Sequence, residues 1–556
     1  MFDAKDFRLP QFRLLDLLLP FRKLIRLTTK NSMATTQIDP YDEFLYPNYS
    51  YPQTHADRLA SLATVFGMTP VPVEHCRVLE LACGDGANLL PMAYDLPGSQ
   101  FLGIDRAAQP IARGAAMIET LQLRNLDLRQ LDLMALPPDL GQFDYIIAHG
   151  LYSWVPPIVR DRILEICRSC LAPQGVAYIS YSVYPGCHLR EITRRMLLFH
   201  TRDVKDPRQR VAQGRALIKW VADAQTQSNA YSLFLREVRD SFASKNDGAI
   251  YHDDLAEVNA PVYLHQFITH AARHGLQFLS EAEYFDTQEY NFPPEVAQQL
   301  RLMAQQDIIG KEQYLDFLEG RSFRQTLLCH HEAKLDHSLR SDAVRQFHIR
   351  SQARPVSAEP DLKSEVIEEF RGPNECAITT SFPLAKAAML HLGEIYPRSA
   401  RFDDLLAQAY QLLGIPSPRE TDSEEARALA EVILKTYGAG VLEFHLHVPT
   451  FTLIPGERPL ASALARLQAQ QGPITTSLLG NSVKFDDFLG RQLLVLLDGS
   501  RDRATLLKDF WTLIESTIQA GPEELAAADQ AKLRQDLPQQ LEQKLADLGR
   551  LGFLLA

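Results

Sequence analysis

The amino-acid sequence predicts an α/β protein with a doubly wound, mostly parallel sheet in its first 200 residues. A β-type run at 77–81 leads directly into a glycine-rich turn and a helical segment at 82–90. Further runs typical of buried strands follow at 101–104, 143–148 and 175–180, with helical segments between them. Strands that alternate with helices form parallel sheets, which bind ligands at the carboxyl ends of their strands.

Length and composition limit the classes of protein to consider. The chain has 556 residues, 46% of them hydrophobic, and a formal net charge of -12. This length exceeds one compact domain, so we predict several domains. The acidic balance argues against nucleic-acid binding, and no apolar run is long enough to span a membrane. Seven scattered cysteines do not indicate a disulfide framework, so we expect a cytoplasmic protein.

Residues 1–40 differ in composition from the rest of the chain. The first 30 carry seven Lys or Arg residues against three Asp residues. A basic amphipathic segment can bind a membrane surface, but Pro10 and Pro20 divide this one into short pieces. Met33 then opens a sequence of more ordinary composition. We therefore predict a disordered N-terminal extension or an over-long gene start, in preference to a membrane anchor.

The turn after the first predicted strand has the features of a ligand-binding turn. Gly84 and Gly86 allow the backbone to come close to a ligand, and the following helix offers amide donors at its N-terminus. Asp105 ends the next predicted strand. It follows the glycines by about 20 residues, the spacing at which a carboxylate binds a ribose hydroxyl in nucleotide-binding α/β proteins.

These features together resemble the class I S-adenosylmethionine-dependent methyltransferases, which have a Rossmann-like sheet. The residues that carry the resemblance are Glu80, Gly84 and Gly86 in the turn, Asp105 and Asp132 at strand ends, and the helix stop at 171–175. The resemblance implies that S-adenosylmethionine is the cofactor. It also implies a set of cofactor-binding residues: Glu80, Ala82, Gly84, Asp85, Gly86 and Asn88 for the methionine and sulfonium end, Asp105 for the ribose, Asp132 and Leu133 for the adenine, with Arg106 and His149 beside them.

Six stretches make the resemblance more specific: 41–55, 76–81, 148–156, 184–188, 259–265 and 323–330. They are similar to a bacterial subfamily with a methyltransferase regulatory region, which includes the rickettsial protein lysine methyltransferases. The resemblance implies a homodimer with a cofactor domain, a dimerisation region, a middle domain and a C-terminal domain. The resemblance is strong evidence that the reaction is methyl transfer and weaker evidence for the identity of the methyl acceptor.

The candidate acceptor-site residues follow the fourth and fifth predicted strands. Methyl transfer from a sulfonium is an in-line displacement, so the protein mainly supplies alignment. A lysine acceptor must also lose a proton. The candidates for orienting or deprotonating it are Tyr152, Trp154, Tyr184 and His188, since their rings can also attract a methylammonium group. Packing roles for Tyr152 and Trp154, and a role for His188 as an ordinary helix-start residue, are equally open. No metal site is predicted.

The C-terminal region contains two helical clusters, each followed by an extended piece, at 441–447 and 552–555. This pattern suggests winged-helix-like modules. Winged helices often bind DNA, but residues 360–556 carry 19 Lys or Arg against 27 Asp or Glu, which favours a protein contact or a lid.

We predict seven segments along the chain. They are the N-terminal extension (1–40), a cofactor-binding methyltransferase domain with an N-terminal lid (41–200), a helical insertion or dimerisation region (201–264), a regulatory region that returns the last strands of the sheet (265–335), a linker (336–375), a middle winged-helix-like domain (376–470) and a C-terminal helical domain (471–556).

Three functions remain open from the sequence. The first is methylation of protein lysine side chains. The second is methylation of a small molecule or secondary metabolite. The third is a regulatory protein that binds the cofactor without turnover.

Overall fold

A computed structural model describes residues 40–555, except 45, 47–48, 138–139, 339, 417–422 and 521–526. The predicted N-terminal extension lies outside the described residues apart from Pro40. No helix in the described part of the chain has the length and apolar character that a membrane span requires.

The main sheet confirms the predicted doubly wound α/β fold. Its strands are β1 (Arg77–Leu81), β2 (Gln100–Asp105), β3 (Leu126–Gln130), β4 (Phe143–Ala148), β5 (Leu171–Ser182), β6 (Leu276–Glu281) and β7 (Phe323–His330). They lie in the order β3-β2-β1-β4-β5-β7-β6, and β7 runs antiparallel to both of its neighbours. The parallel strands β1 and β4 are neighbours at the centre of the sheet, and the order of strands changes direction between them: β2 and β3 follow on the side of β1, and β5 follows on the side of β4. The loops that follow these two strands therefore flank the crevice where such sheets bind ligands.

Helices cover both faces of this sheet. Those of the first 330 residues are α1 (Pro40–Glu43), α2 (Ala56–Val65), α3 (Leu89–Asp95), α4 (Ala108–Leu121), α5 (Pro157–Cys170), α6 (Cys187–Thr201), α7 (Pro207–Asp223), α8 (Ala230–Ser244), α9 (Asp247–Ala249), α10 (Leu264–Arg273), α11 (Pro294–Ala304) and α12 (Ile308–Glu319).

Adjacent residues of the central strands point to opposite faces, as the pleat of a strand requires. Val78 and Ile147 join the hydrophobic cluster that includes α2 and α3. Leu79 and Ile146 join a second cluster that includes α5 and α10. Both faces are buried, which explains why β1 and β4 are almost continuously apolar in sequence.

The predicted helical insertion at 201–264 contains α7 and α8. Helix α7 packs beside α6, and α8 packs beside α7. Its own small hydrophobic cluster includes Leu197, Ile218 and Leu255. Exposed apolar side chains lie on the outer surfaces of all three helices: Phe199, Trp220 and Leu233.

The C-terminal region contains small sheets and longer helices. Its strands are β8 (His348–Arg350), β9 (Arg354–Pro355), β10 (Glu368–Arg371), β11 (Ala377–Thr380), β12 (Ala400–Arg401), β13 (Glu443–His445), β14 (Leu460–Ala461), β15 (Ile474–Thr476), β16 (Ser482–Lys484) and β17 (Leu554–Leu555). Its helices are α13 (Pro383–Ile395), α14 (Phe402–Leu413), α15 (Glu424–Gly438), α16 (Ala463–Gln471), α17 (Phe488–Leu496), α18 (Arg503–Ala520) and α19 (Ala527–Arg550).

The stretch 336–375, predicted as a linker, is part of a packed core. It contains β8, β9 and β10, and Phe347, Ile349 and Phe370 are each fully buried. The apolar residues are separated by Ser, Pro and acidic residues, so the composition of the whole stretch is that of a loop. Strand pairing of β8 with both β12 and β13 ties it to the middle domain instead.

The predicted boundary at 470/471 falls at the end of α16. That helix packs into the last hydrophobic cluster through Ala465 and Ala469, together with Leu494 of α17. β14 also pairs with β17 at the end of the chain. We therefore propose that the C-terminal domain includes β14 and α16 and that the middle domain ends before β14.

The N-terminal helix α2 is joined to the middle domain by buried polar contacts. Asp57 Oδ1 accepts hydrogen bonds from the backbone N–H groups of Leu446 (2.6 Å) and His447 (2.8 Å). Asp57 Oδ2 lies 2.7 Å from Nδ1 of His445, whose Nε2 lies 3.1 Å from Glu443 Oε2. Burial opposes the charged form of Asp57, but His445 outweighs it and lowers the pKa of Asp57 to about 2.

A buried arginine holds the last strands of the sheet against α12. Arg324 on β7 donates to Glu281 on β6 at 2.7 Å and to Asp316 on α12 at 2.9 Å. Its Nη1 and Nη2 also donate to Glu312 at 3.2 Å. All four side chains are essentially inaccessible to solvent. Such a group is stable only while the charges compensate each other.

We expect Arg324→Met to destabilise the protein by about 3–5 kcal/mol, because three buried carboxylates then lose their shared cation. The matched control is Arg371→Met on β10, whose guanidinium is half exposed and pairs with Glu369. That exposed pair contributes roughly 0–1 kcal/mol. Urea unfolding followed by circular dichroism measures both variants. Equal shifts of the unfolding midpoint would contradict the proposed difference.

Candidate active site

The turn after β1 has an unusual backbone conformation. Ala82, Gly84 and Gly86 all have positive φ, at 59°, 58° and 74°. This region is strained for Ala82, and the two glycines adopt it without a steric penalty. A Cβ on Gly86 would also lie 3.0 Å from Leu128 Cδ1 of β3. The residue types at these positions thus allow the tight turn that brings the chain from β1 to α3.

Asp105 at the end of β2 stabilises this turn by hydrogen bonding. Its Oδ2 accepts a hydrogen bond from the Gly84 N–H at 2.8 Å, and its Oδ1 accepts one from the Ala107 N–H at 2.8 Å. Asp85 lies on the same turn and accepts from the Ala87 N–H at 3.3 Å. The carboxylates of β1, the turn and β2 therefore gather at one edge of the sheet.

Asn88 connects the turn to the N-terminal segment. Its Nδ2 donates to Glu80 Oε1 and to Thr54 Oγ1, both at 2.9 Å. Its Oδ1 accepts from the Tyr51 N–H at 3.0 Å. Asn88, Glu80 and Thr54 are buried, so these bonds replace contacts with water that the side chains have lost. One amide group thus joins β1, the start of α3 and the segment 51–54.

One carboxylate oxygen of Glu80 accepts no hydrogen bond from the described residues. Its Oε2 is buried without a hydrogen-bond partner there. Burial, together with the negative charges of Asp105 and Asp85, raises the pKa of Glu80 to about 8. The hydrogen bond from Asn88 lowers the pKa but does not offset the burial. A positively charged ligand would satisfy the free oxygen and relieve the repulsion among these acids. S-adenosylmethionine carries a sulfonium and an ammonium group, so the residues present fit the cofactor that the resemblance implies.

His149, at the end of β4, lies on the opposite side of the crevice. The Tyr51 ring lies 3.9 Å from its ring, centroid to centroid. Its Nδ1 lies 2.9 Å from the Tyr178 hydroxyl, which itself donates to Gln325 Oε1 at 2.6 Å. Since that hydroxyl proton is already used, Nδ1–H must be the donor, and Nε2 carries the lone pair. Burial lowers the pKa of His149 to about 4, so the ring is neutral at pH 7.

Asp132 and Leu133 follow β3, where the sequence predicts the adenine end of the ligand. Asp132 is exposed, and its Oδ1 accepts from the Met134 N–H at 2.9 Å, which caps a short 3₁₀ turn. Leu133 is half buried, and its carbonyl accepts from Arg162 Nε at 3.2 Å. Arg106 is exposed beyond β2, and its carbonyl accepts from Gln130 Nε2 at 3.2 Å.

Tyr152 does not occupy the position expected of an acceptor-site residue. It is 2% exposed within the core cluster on the α5 face, and its hydroxyl lies 2.8 Å from His270 Nδ1. Its ring packs edge to face on Phe267. The packing alternative therefore describes Tyr152 better, because a side chain enclosed in this way cannot contact an acceptor.

The other acceptor candidates are more accessible. The half-buried Trp154 ring lies under the guanidinium of Arg190 at 5.4 Å. Tyr184 stacks on the exposed His188 at 4.2 Å, and its hydroxyl donates to Glu191 at 2.8 Å. Burial and this bond raise the pKa of Tyr184 to about 12, so its phenol remains protonated at neutral pH.

Several site residues had no clear signal in the sequence. Gln53 Nε2 donates to Gln325 Oε1 at 2.8 Å, although the two residues are 272 positions apart. Tyr51 lies within a stretch predicted only as a lid, and Tyr178 lies within a strand that reads as buried core. Glu191 could have been found, because it lies one helical turn after His188 on the same helix face.

Three protein-family models match the chain. Residues 78–175 match a methyltransferase domain, and residues 246–330 match a predicted methyltransferase regulatory domain. Residues 457–553 match the C-terminal winged helix domain of PKMT.

Known relatives cover most of the chain. Protein RP789 of Rickettsia prowazekii (strain Madrid E) is 31% identical over 480 residues, which are 84% of this chain and 85% of the relative. Protein RP028 of the same organism is 35% identical over 240 residues, 43% of this chain and 96% of the relative. The structure of PKMT2 from Rickettsia typhi in complex with AdoHcy superposes with a TM-score of 0.80 at 27% identity, covering 92% of this chain and 100% of that one.

We expect Asn88→Ala to loosen the segment 51–54 selectively. Loss of buried hydrogen bonds costs about 1–3 kcal/mol of local stability, so amide exchange in this segment should accelerate by roughly 5- to 150-fold. Hydrogen–deuterium exchange with mass spectrometry measures the change. The matched control is Asn125→Ala, which removes two buried bonds to the carbonyls of Ala93 and Leu96. Unchanged exchange at 51–54 in Asn88→Ala would contradict the connection.

Proposed function

The chain belongs to the S-adenosylmethionine-dependent methyltransferases that carry a methyltransferase regulatory domain, and we propose that it transfers methyl groups to lysine side chains of proteins. The observation that carries the acceptor proposal is the likeness to PKMT2 along almost the whole chain, together with the resemblance of the sequence to the rickettsial protein lysine methyltransferases. The acidic balance of residues 360–556, with 27 Asp or Glu against 19 Lys or Arg, suits a cationic acceptor.

We propose that the crevice between the loops after β1 and β4 binds the cofactor. Glu80 Oε2 and the turn residues Ala82 to Gly86 would bind its cationic methionine end, and Asn88 would hold that turn in place. Asp105 would bind the ribose, with Arg106 beside it. Asp132 and Leu133 would lie at the adenine. His149 would border the site from β4 through its Nε2 lone pair.

When bound, S-adenosylmethionine supplies a methyl group already activated on sulfonium. The protein therefore contributes mainly binding and alignment. The Asn88 bonds bring segment 51–54 over the turn, which excludes water from the Glu80 side of the crevice. The neutral His149 adds a hydrogen-bond acceptor without adding charge, so it does not repel a cationic cofactor or acceptor.

The acceptor lysine would approach Tyr184, His188 and Glu191. The Glu191 carboxylate attracts an ammonium group, and the stacked rings of Tyr184 and His188 offer faces for a methylammonium. Tyr184 has too high a pKa to remove a proton at neutral pH, so we assign it a positioning role. Partial removal of the lysine from water lowers the pKa of its ammonium group and eases proton loss.

We also propose a homodimer formed through the helical insertion. Phe199, Trp220 and Leu233 are 70%, 69% and 53% exposed on α6, α7 and α8, and apolar side chains of this size favour burial against a partner. A cytoplasmic location suits the seven cysteines, which are all unpaired thiols.

We expect cofactor affinity to weaken as the pH falls below 8. The Glu80 pKa of about 8 means that this carboxyl group must lose a proton before it can bind a cation. Each pH unit below that value should therefore weaken binding roughly tenfold. Isothermal titration with S-adenosylmethionine between pH 6 and 8, in buffers of different ionisation enthalpy, measures the affinity and the released proton. Glu80→Gln should bind with little pH dependence. An equal pH dependence in both proteins would contradict the assignment.

We expect the purified protein to transfer tritiated methyl groups from S-adenosylmethionine into proteins of a cell lysate. Acid hydrolysis should release the label as methylated lysine, and prior acetylation of the lysate lysines should abolish it. Asp105→Asn should lose at least 90% of the activity, roughly a tenfold loss, since a cofactor contact worth about 1.4 kcal/mol has that effect. The matched control, Asp127→Asn, alters an exposed acid on β3 and should retain activity.

Each alternative acceptor gives a different distribution of label in this experiment. Label confined to the small-molecule fraction would replace the lysine proposal with the small-molecule alternative. Label in protein that survives lysine acetylation would indicate another side chain. Absence of label in both fractions, with the cofactor bound, would contradict turnover on cellular acceptors.

A further inference from the structure

A cluster of two histidines and one carboxylate lies on the α5 face of the sheet, outside the proposed methyl-transfer site. Asp161 lies on α5, and His270 and His274 lie at the C-terminal end of α10. The two histidines are four residues apart, so they project from the same face of the helix, one turn apart. The contact therefore connects helices that are more than 100 positions apart in sequence.

The ligand atoms of the cluster have the separation that one metal ion requires. Asp161 Oδ1 lies 2.7 Å from His270 Nε2 and 3.4 Å from His274 Nε2. All three ligand atoms lie within 4.8 Å of one another. In a tetrahedral zinc site, with bonds of about 2.0–2.2 Å, two ligand atoms are about 3.4 Å apart. Small side-chain rotations would bring the three atoms to these distances.

A buried tyrosine already orients one of the histidines. The Tyr152 hydroxyl lies 2.8 Å from His270 Nδ1, and the Tyr152 ring is fixed by the core around Phe267. Histidine ligands of metals commonly donate their second ring N–H to a neighbouring acceptor, which orients the ring. The Tyr152 hydroxyl oxygen can accept from Nδ1–H, which leaves Nε2 of His270 free to bind an ion. His270 therefore presents Nε2 to Asp161 in a set direction. This arrangement is independent of the cluster itself.

The surroundings suit a cation. The Asp161 side chain is 60% exposed and the two histidines are 19% and 22% exposed, so an ion and a water ligand can reach the cluster. His274 caps the C-terminus of α10, where the helix dipole favours positive charge. Two imidazoles and a carboxylate are ligands for zinc and for neighbouring divalent transition metals such as cobalt and nickel.

We propose that Asp161, His270 and His274 bind one divalent transition-metal ion of the zinc class. Asp161 lies within the stretch that matches the methyltransferase domain, and both histidines lie within the stretch that matches the regulatory domain. The ion links these two parts of the chain at the surface, beside the loop that carries Tyr152. The metal site contains no residue of the proposed cofactor or acceptor sites, so its test does not depend on the identity of the methyl acceptor.

The test is metal titration of the full chain without an affinity tag, after treatment with a chelator and desalting. Co²⁺ serves as the probe because its visible absorption reports four-coordinate binding, and Zn²⁺ should displace it. We expect one equivalent per chain and a rise in the thermal unfolding temperature with Zn²⁺. His274→Ala and Asp161→Asn should lose both effects. Tyr152→Phe should weaken binding by roughly 10- to 100-fold.

The matched control is His200→Ala, which removes an exposed histidine of α6 outside the cluster and should bind like the parent protein. The Asp161 side chain is largely exposed, so Asp161→Asn tests the site without disturbing the hydrophobic core. The proposal is overturned if the parent protein binds no stoichiometric metal. It is also overturned if either ligand variant gives the same Co²⁺ spectrum and Zn²⁺ stabilisation as the parent.

Discussion

The hydrogen bonds of the buried Asn88 side chain connect the segments that form the candidate active-site crevice. Asn88 alone reaches Glu80 on β1, Thr54 and the backbone of Tyr51. Glu80 is a carboxyl group removed from water, and without this amide donor its ionised form would be still less favourable. The same bonds place the Tyr51 ring against His149. The two sides of the crevice, which come from β1 and β4, therefore have a common support.

The parts of this fold that follow from local sequence were predictable. The strands of the main sheet were recognised because β1, β4 and β5 are buried on both faces, which gives short apolar runs between helical segments. The turn at 82–86 was recognised because its backbone needs glycines, and Asp105 because it ends the neighbouring strand. The relatives confirm the family and the cofactor that these residues indicated.

Contacts between distant segments were not predictable from one sequence. Gln53 meets Gln325, and Asp57 meets His445, across hundreds of residues, and no local pattern marks either pair. Phe347 and Ile349 lie among polar residues in the sequence, so the composition of this stretch does not predict that their side chains are buried. Tyr152 follows β4 as an acceptor-site residue would, but its side chain turns into the core, because the direction of a loop side chain depends on what packs around it.

The placement of α2 has a consequence for communication within the protein. The helix begins two residues after Thr54, which is hydrogen-bonded to Asn88. Its residue Asp57 accepts from the backbone N–H groups of Leu446 and His447 and lies against the His445 side chain of the middle domain. The N-terminal end of α2 thus lies between the turn after β1 and the middle domain and contacts both. If bound cofactor strengthens the binding of a partner to the middle domain through α2, that partner strengthens cofactor binding by the same factor, because thermodynamic coupling is reciprocal. A single coupling free energy would then link the binding of the partner to the binding of the cofactor.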